Sequence, residues 1–151
     1  TEYDLGGYSL GGRTVARLLV RGATPRRAII AGMGLTGLTD TRARIVHFRK
    51  LFAGLGNHAQ GSPLWFAEAF MKTTGADYVA LAHVLTPVDT LRAIVTPVLV
   101  LSGIDDFDNG SAAELAALLP NAELRTTPGN HMSAVAKADL GTAMVDYLLS
   151  R

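Results

Sequence analysis

Apolar positions along the chain fall into four short runs, 2–7, 28–33, 97–102 and 122–127. Each is apolar or alternating and bounded by Gly, Pro or Asn, which is the pattern of a strand. Between them the period lengthens to that of a helix. Residues 10–20 place Val15, Leu18 and Leu19 on one face, 111–119 gather Leu115, Leu118 and Leu119, and 133–149 space Leu140, Met144 and Leu148 four apart. Strands alternating with helices predict an α/β fold, a parallel sheet joined by right-handed crossovers with flanking helices. All strand C-termini then open on one edge of the sheet, and chemistry is expected there.

From 35 to 89 the strand pattern disappears and only helical spacing remains, so this stretch reads as a helical, cap-like insertion within one domain spanning 1–151. Asp40 is placed to cap a basic stretch containing Arg42, Arg44, His47, Arg49 and Lys50. A solvated helix face accounts for those charges, and attraction of an acidic substrate is the alternative. Pro63 sits where a first helical turn tolerates it, ahead of Leu64, Trp65, Phe66, Phe70 and Met71. No repeat, low-complexity tract or linker divides the chain into independent domains.

Composition narrows the partners. With 48% hydrophobic residues over 151, the chain can bury a core, and a formal net charge of +1 gives no general pull toward nucleic acid or anionic membrane. No apolar run approaches the ~20 residues that span a bilayer, which leaves a small molecule as the expected partner. The absence of cysteine excludes disulfides, thiolate metal sites and a thiol nucleophile, and suits either cytoplasm or periplasm. No His or carboxylate pair shows metal-ligand spacing, so no metal is expected. The chain opens on Thr1 and reaches a strand almost at once, which reads as a sequence shortened at its N-terminus.

The candidate chemistry begins at Gly7-Tyr8-Ser9-Leu10-Gly11-Gly12, a G-x-S-x-G pattern between the first strand and first helix. In such a turn the serine is held in a strained conformation. The residues two before and two after crowd each other, so Gly7 and Gly11 are expected to be required. The helix that follows offers the Leu10 N–H and its positive dipole end to a developing oxyanion. The rival is a dinucleotide-binding turn, with Gly7, Ser9 and Gly12 at the G-x-G-x-x-G spacing. That motif needs an acidic residue after the next strand, about 20 residues on. Here the strand runs into Gly32-Met33-Gly34 instead.

A serine hydroxyl needs a base, and the base needs a carboxylate to orient it. The strand at 97–102 ends in Ser102-Gly103-Ile104-Asp105-Asp106, and one helix and one strand later comes Pro128-Gly129-Asn130-His131-Met132. Ser9, Asp106 and His131 are the candidates. Asp105 and Asp108 stand close enough in sequence to replace Asp106, although both also suit a solvated turn. Tyr8, Trp65, Phe66 and Phe70 are candidates for an acyl pocket, although aromatic residues at the helical spacing of the last three more often mark packing. His47, His58 and His83 receive no role.

Together the elbow, the Gly-x-x-Asp ending and Gly129-Asn130-His131 resemble the C-terminal half of an α/β-hydrolase, over essentially the whole chain. The resemblance implies a serine hydrolase of carboxylic ester or related acyl substrates that needs no cofactor, with His131 as general base and Asp106 orienting it. Dehalogenases and epoxide hydrolases of this fold use an Asp nucleophile, so Ser9 argues against both. Acyl transfer, thioester hydrolysis, carbon–carbon cleavage and perhydrolysis share the triad. The resemblance also implies that strands and a second oxyanion donor precede the elbow in a complete fold. Without that donor, rate falls by ~10²–10³, and the elbow strand becomes a sheet edge prone to self-association. The second function class is a non-catalytic binding module on the same scaffold.

Overall fold

The computed structural model describes residues 2–40, 42–75, 77, 80, 88 and 90–150. They fall into two compact units, Thr1–Thr39 with Pro87–Arg151, and Asp40–Thr86.

The first unit is built on four parallel strands, β1 (Leu5–Tyr8), β2 (Ala28–Ala31), β3 (Val98–Gly103) and β4 (Ala122–Thr127), in the order β1-β2-β3-β4. Every residue of β2 and β3 is buried, which is why these two read as unbroken apolar runs. Register pairs Ala28 with Val98 and Ile30 with Val100, so alternate residues line opposite faces. One face gathers Ile30, Val98 and Val100 with Val15 and Leu19 of helix α1 (Leu10–Val20), Leu115 of α5 (Ala112–Leu118) and Leu119, which caps α5. The other gathers Ile29, Ala31, Leu99 and Leu101 against Leu140 and Tyr147 of helix α7 (Ala138–Leu149). Each strand lies one place further along the sheet than the last, so crossovers of one hand fall on one face and leave the second to α7. Truncating Ile30 or Leu115 to Ala is expected to cost ~2–5 kcal/mol.

Helix α1 and strand β4 occupy the expected ranges, β3 is displaced by one residue and α5 is one residue shorter at each end, and three larger departures have local causes. The ladder of β1 begins only at Leu5, whose N–H donates to the Arg27 carbonyl. Strand β2 stops at Ala31 because Gly32 takes φ 60 and turns the chain. The helix expected over 133–149 is two: a short α6 (His131–Ala134), then α7. Lys137 is extended between them (φ −98, ψ 144), re-aiming the chain so that Leu140 and Tyr147 reach the sheet.

A short helix α2 (Leu35–Thr39) and a 3₁₀ turn (Leu91–Ala93) complete the first unit. The second holds α3 (Arg42–Ala53) and α4 (Pro63–Thr74). Asp40 accepts from the Arg42 N–H at 3.3 Å and pairs with its guanidinium, which holds the carboxylate down at about 2. Ser62 caps α4 by accepting from the Trp65 N–H, and Pro63 occupies its first turn. The Trp65 and Phe66 rings meet edge-on at 5.0 Å, while Phe66 and Phe70 are largely exposed. His47 and His58 belong to this unit, and His58 bonds the Leu51 carbonyl. His83 and position 89, where the expected insertion ends, lie outside the described residues. Among the described residues, no helix is long and apolar enough to cross a membrane.

Candidate active site

The C-terminal ends of β1, β3 and β4 carry the three candidate residues. Ser9 joins β1 to α1 with φ 54 and ψ −112, a left-handed conformation that costs a non-glycine residue ~1–3 kcal/mol. Two hydrogen bonds hold it there: the Ser9 N–H donates to the Ala31 carbonyl at 2.8 Å, and the Ser9 carbonyl accepts from the Arg13 N–H at 3.0 Å. Close approach does the rest. A Cβ on Gly7 would fall well inside 3.0 Å of the Gly11 carbonyl group, and one on Gly12 would lie 2.9 Å from the Ala31 oxygen. A Cβ on Gly11 would meet nothing within 4 Å. The crowded pair expected at Gly7 and Gly11 is therefore one-sided. Gly11 contributes its backbone to the crowding, and Gly12, valued in the sequence only for a rival motif, takes the second tight place.

Asp106 sits in the loop after β3. Its N–H donates to the Gly103 carbonyl, its Oδ1 accepts from the Asp108 N–H at 3.3 Å, and its side chain is buried. Asp105 and Asp108 are exposed, so of the three carboxylates only Asp106 is turned inward. Buried Asn109 anchors this loop to the one after β2, donating from Nδ2 to the Gly32 carbonyl at 2.8 Å and accepting from the Gly37 N–H through its own carbonyl. Nothing in the periodicity marks Asn109, because its role is to join two loops distant in sequence.

His131 opens α6. Asn130 caps that helix by accepting from the Met132 and Ser133 N–H groups, while the Ser133 hydroxyl accepts from the Asn130 N–H. The imidazole lies between the other two candidates, with Nδ1 2.9 Å from Asp106 Oδ2 and Nε2 2.9 Å from Ser9 Oγ. With the Nδ1 proton donated to the carboxylate, Nε2 presents its lone pair to the serine hydroxyl. Asp106, Asp108 and His131 offer ligand-type atoms within 4.8 Å of one another. The Asp106 and His131 atoms are already engaged in this chain.

Tyr8, named above for an acyl pocket, points its hydroxyl at the His131 main chain and lays its ring beside the imidazole. Burial, reinforced by the negative charges of Asp106 and Asp108, pushes its phenol up to about 12. Leu10, Phe107 and Met132 each directly follow one of the three candidates, and all are exposed apolar side chains. Leu10 is also the first residue of α1, so its N–H lies at the helix end beside Ser9.

No protein-family model matches the sequence, and no curated protein matches it. Solved structures do. A hydrolase from Pseudomonas aeruginosa PA01 superposes with a TM-score of 0.61 at 22% identity, over 97% of this chain and 64% of its own. A serine hydrolase involved in carbazole degradation gives 0.66 at 21%, over 99% and 64%. An α/β-hydrolase enzyme from a Medee basin deep-sea metagenome gives 0.64 at 18%, over 99% and 66%. The fold of this chain is that of the α/β-hydrolases. The chain spans about two thirds of the length of the structures it matches.

Proposed function

We propose that the protein is a serine hydrolase acting on a carboxylic ester or related acyl substrate. The observation that carries this reading is the unbroken chain from Ser9 Oγ through the imidazole to Asp106, 2.9 Å on each side. Ser9 Oγ attacks the acyl carbon while His131 Nε2 takes its proton, and the Asp106 carboxylate stabilises the imidazolium. The carbonyl electron pair moves onto oxygen, where the Leu10 N–H and the positive end of α1 hold it. Collapse expels the alcohol, which takes the proton from Nε2. Water, deprotonated by the same nitrogen, then attacks the acyl carbon, and collapse releases the acid as the departing Ser9 Oγ takes the proton back from Nε2. Exposed Leu10, Phe107 and Met132 beside the three residues favour an apolar acyl or alcohol group.

A fluorophosphonate probe tests the reading. Labelling is expected at Ser9, absent in Ser9→Ala and slowed by several orders of magnitude in His131→Ala, because the members of such a site act as a unit. Failure of the protein to label at all would defeat the reading and leave the scaffold as a binding module.

A further inference from the structure

Tyr8, the last residue of β1, joins the elbow to the His131 main chain in a way the triad alone does not require. Its hydroxyl donates to the main-chain carbonyl of His131 at 2.6 Å, and its ring lies 5.2 Å from the imidazole at 33°. The ring is itself fixed. A Cβ on Gly32 would fall 2.7 Å from it, so glycine there opens the space the ring fills, and Tyr8 packs against the cluster that holds Ile29, Ala31, Leu99 and Leu101. The residue preceding the serine thus grips the backbone of the histidine, which arrives 123 residues later.

We infer that Tyr8 is a positioning residue that sets His131 against Ser9 through the His131 main chain. Cap and clamp divide the work: Asn130 fixes the N–H end of α6, and Tyr8 fixes the carbonyl of its first residue. The phenol stays protonated throughout the working range, so its O–H remains a donor. The kinetic consequence rests on the serine-hydrolase reading, whereas the structural consequence rests on the hydrogen bond alone.

Tyr8→Phe keeps the ring against Gly32 and removes only the hydroxyl. Without the clamp the imidazole samples positions off the Ser9–Asp106 line, and a displacement of about 1 Å suffices to lower kcat roughly 10- to 100-fold. KM is expected to stay within about twofold, since substrate binding does not use this bond. Nuclear magnetic resonance supplies a readout independent of turnover. The His131 Nδ1 proton, held by Asp106 in the wild type, is expected to broaden through exchange in Tyr8→Phe. An Nδ1 resonance unchanged by the substitution would overturn the inference, as would a wild-type Tyr8 hydroxyl proton exchanging at the rate of an exposed phenol. If the wild-type protein neither labels nor turns over ester, the proposed function falls while the two resonances still decide the role of Tyr8.

Discussion

Gly103 and Gly129 meet so closely that a Cβ on the first would fall well inside 3.0 Å of the carbonyl oxygen of the second. Gly103 ends β3 and leads to Asp106, and Gly129 leads to His131. Their contact draws the carboxylate loop and the imidazole loop together, and the Asp105 N–H donating to the Gly129 carbonyl at 3.0 Å seals it. Gly103→Ala must separate the loops, because the obstructing atom is backbone and cannot rotate away. Overpacking of this kind costs ~1–3 kcal/mol. Urea denaturation is expected to register that loss, and fluorophosphonate labelling of Ser9 to slow as the Asp106–His131 bond opens. Wild-type stability together with wild-type labelling would contradict the argument.

The elbow makes a sharper prediction, since its two outer glycines are unequal. Gly7→Ala sets a methyl into the Gly11 carbonyl group and is expected to destabilise by ~1–3 kcal/mol and distort the serine turn. Gly11→Ala meets open space inside a helix, where alanine is favoured over glycine by ~0.5–1 kcal/mol. Gly11→Ala is therefore expected to raise the unfolding midpoint slightly and leave labelling intact. Equal damage from both substitutions, measured side by side, would show that the crowding is mutual.

Of the three carboxylates in the loop after β3, Asp106 is the one hydrogen-bonded to the imidazole. Asp106→Asn retains the shape but cannot hold the Nδ1 proton in place, and a change of this type lowers kcat ~10⁴-fold in a Ser-His-Asp site. Asp105→Asn and Asp108→Asn alter exposed side chains and are expected to leave ester turnover within a few fold. A comparable loss from either neighbour would reassign the orienting carboxylate.

These contrasts mark what could be read in the residues beforehand. Strand β4 and helix α1 have the expected bounds, and β2 and β3 announce themselves as apolar runs, because burial on both faces dictates composition directly. The elbow is legible for a similar reason, since strain at one residue forces glycine nearby. What escapes is set by contacts between segments far apart in sequence. The choice among Asp105, Asp106 and Asp108 depends on which way a loop turns, and the Asn109 bond to Gly32 and the Tyr8 bond to His131 join loops that no local period relates. The break between α6 and α7 is invisible for the same reason. Leu140, Met144 and Leu148 keep their spacing, and only the need to seat His131 and Leu140 separately interrupts the helix.

The second unit carries a buried carboxylate, Glu68, on the same helix as the tryptophan that can follow its acid response. Glu68 of α4 accepts from the Gly56 N–H at 2.8 Å and pairs with Lys72 at 2.5 Å, joining the turn after α3 to the helix that follows. The Lys72 hydrogen bond, helped by Gly56, outweighs burial and holds the Glu68 carboxyl below its ordinary value of 4.5. A carboxylate lowered in the folded state contributes stability that is present above the unfolded value and lost as pH falls through the folded one. The unit should therefore weaken once pH drops below about 4.5, a window set by the ordinary value. Trp65 is the only tryptophan of the chain and lies on the same helix, so its fluorescence reports this unit selectively. Glu68→Gln is expected to lower the thermal midpoint seen by Trp65 at pH 7 and to flatten its further fall between pH 7 and pH 3. An equally steep fall in both proteins would place the acid sensitivity elsewhere.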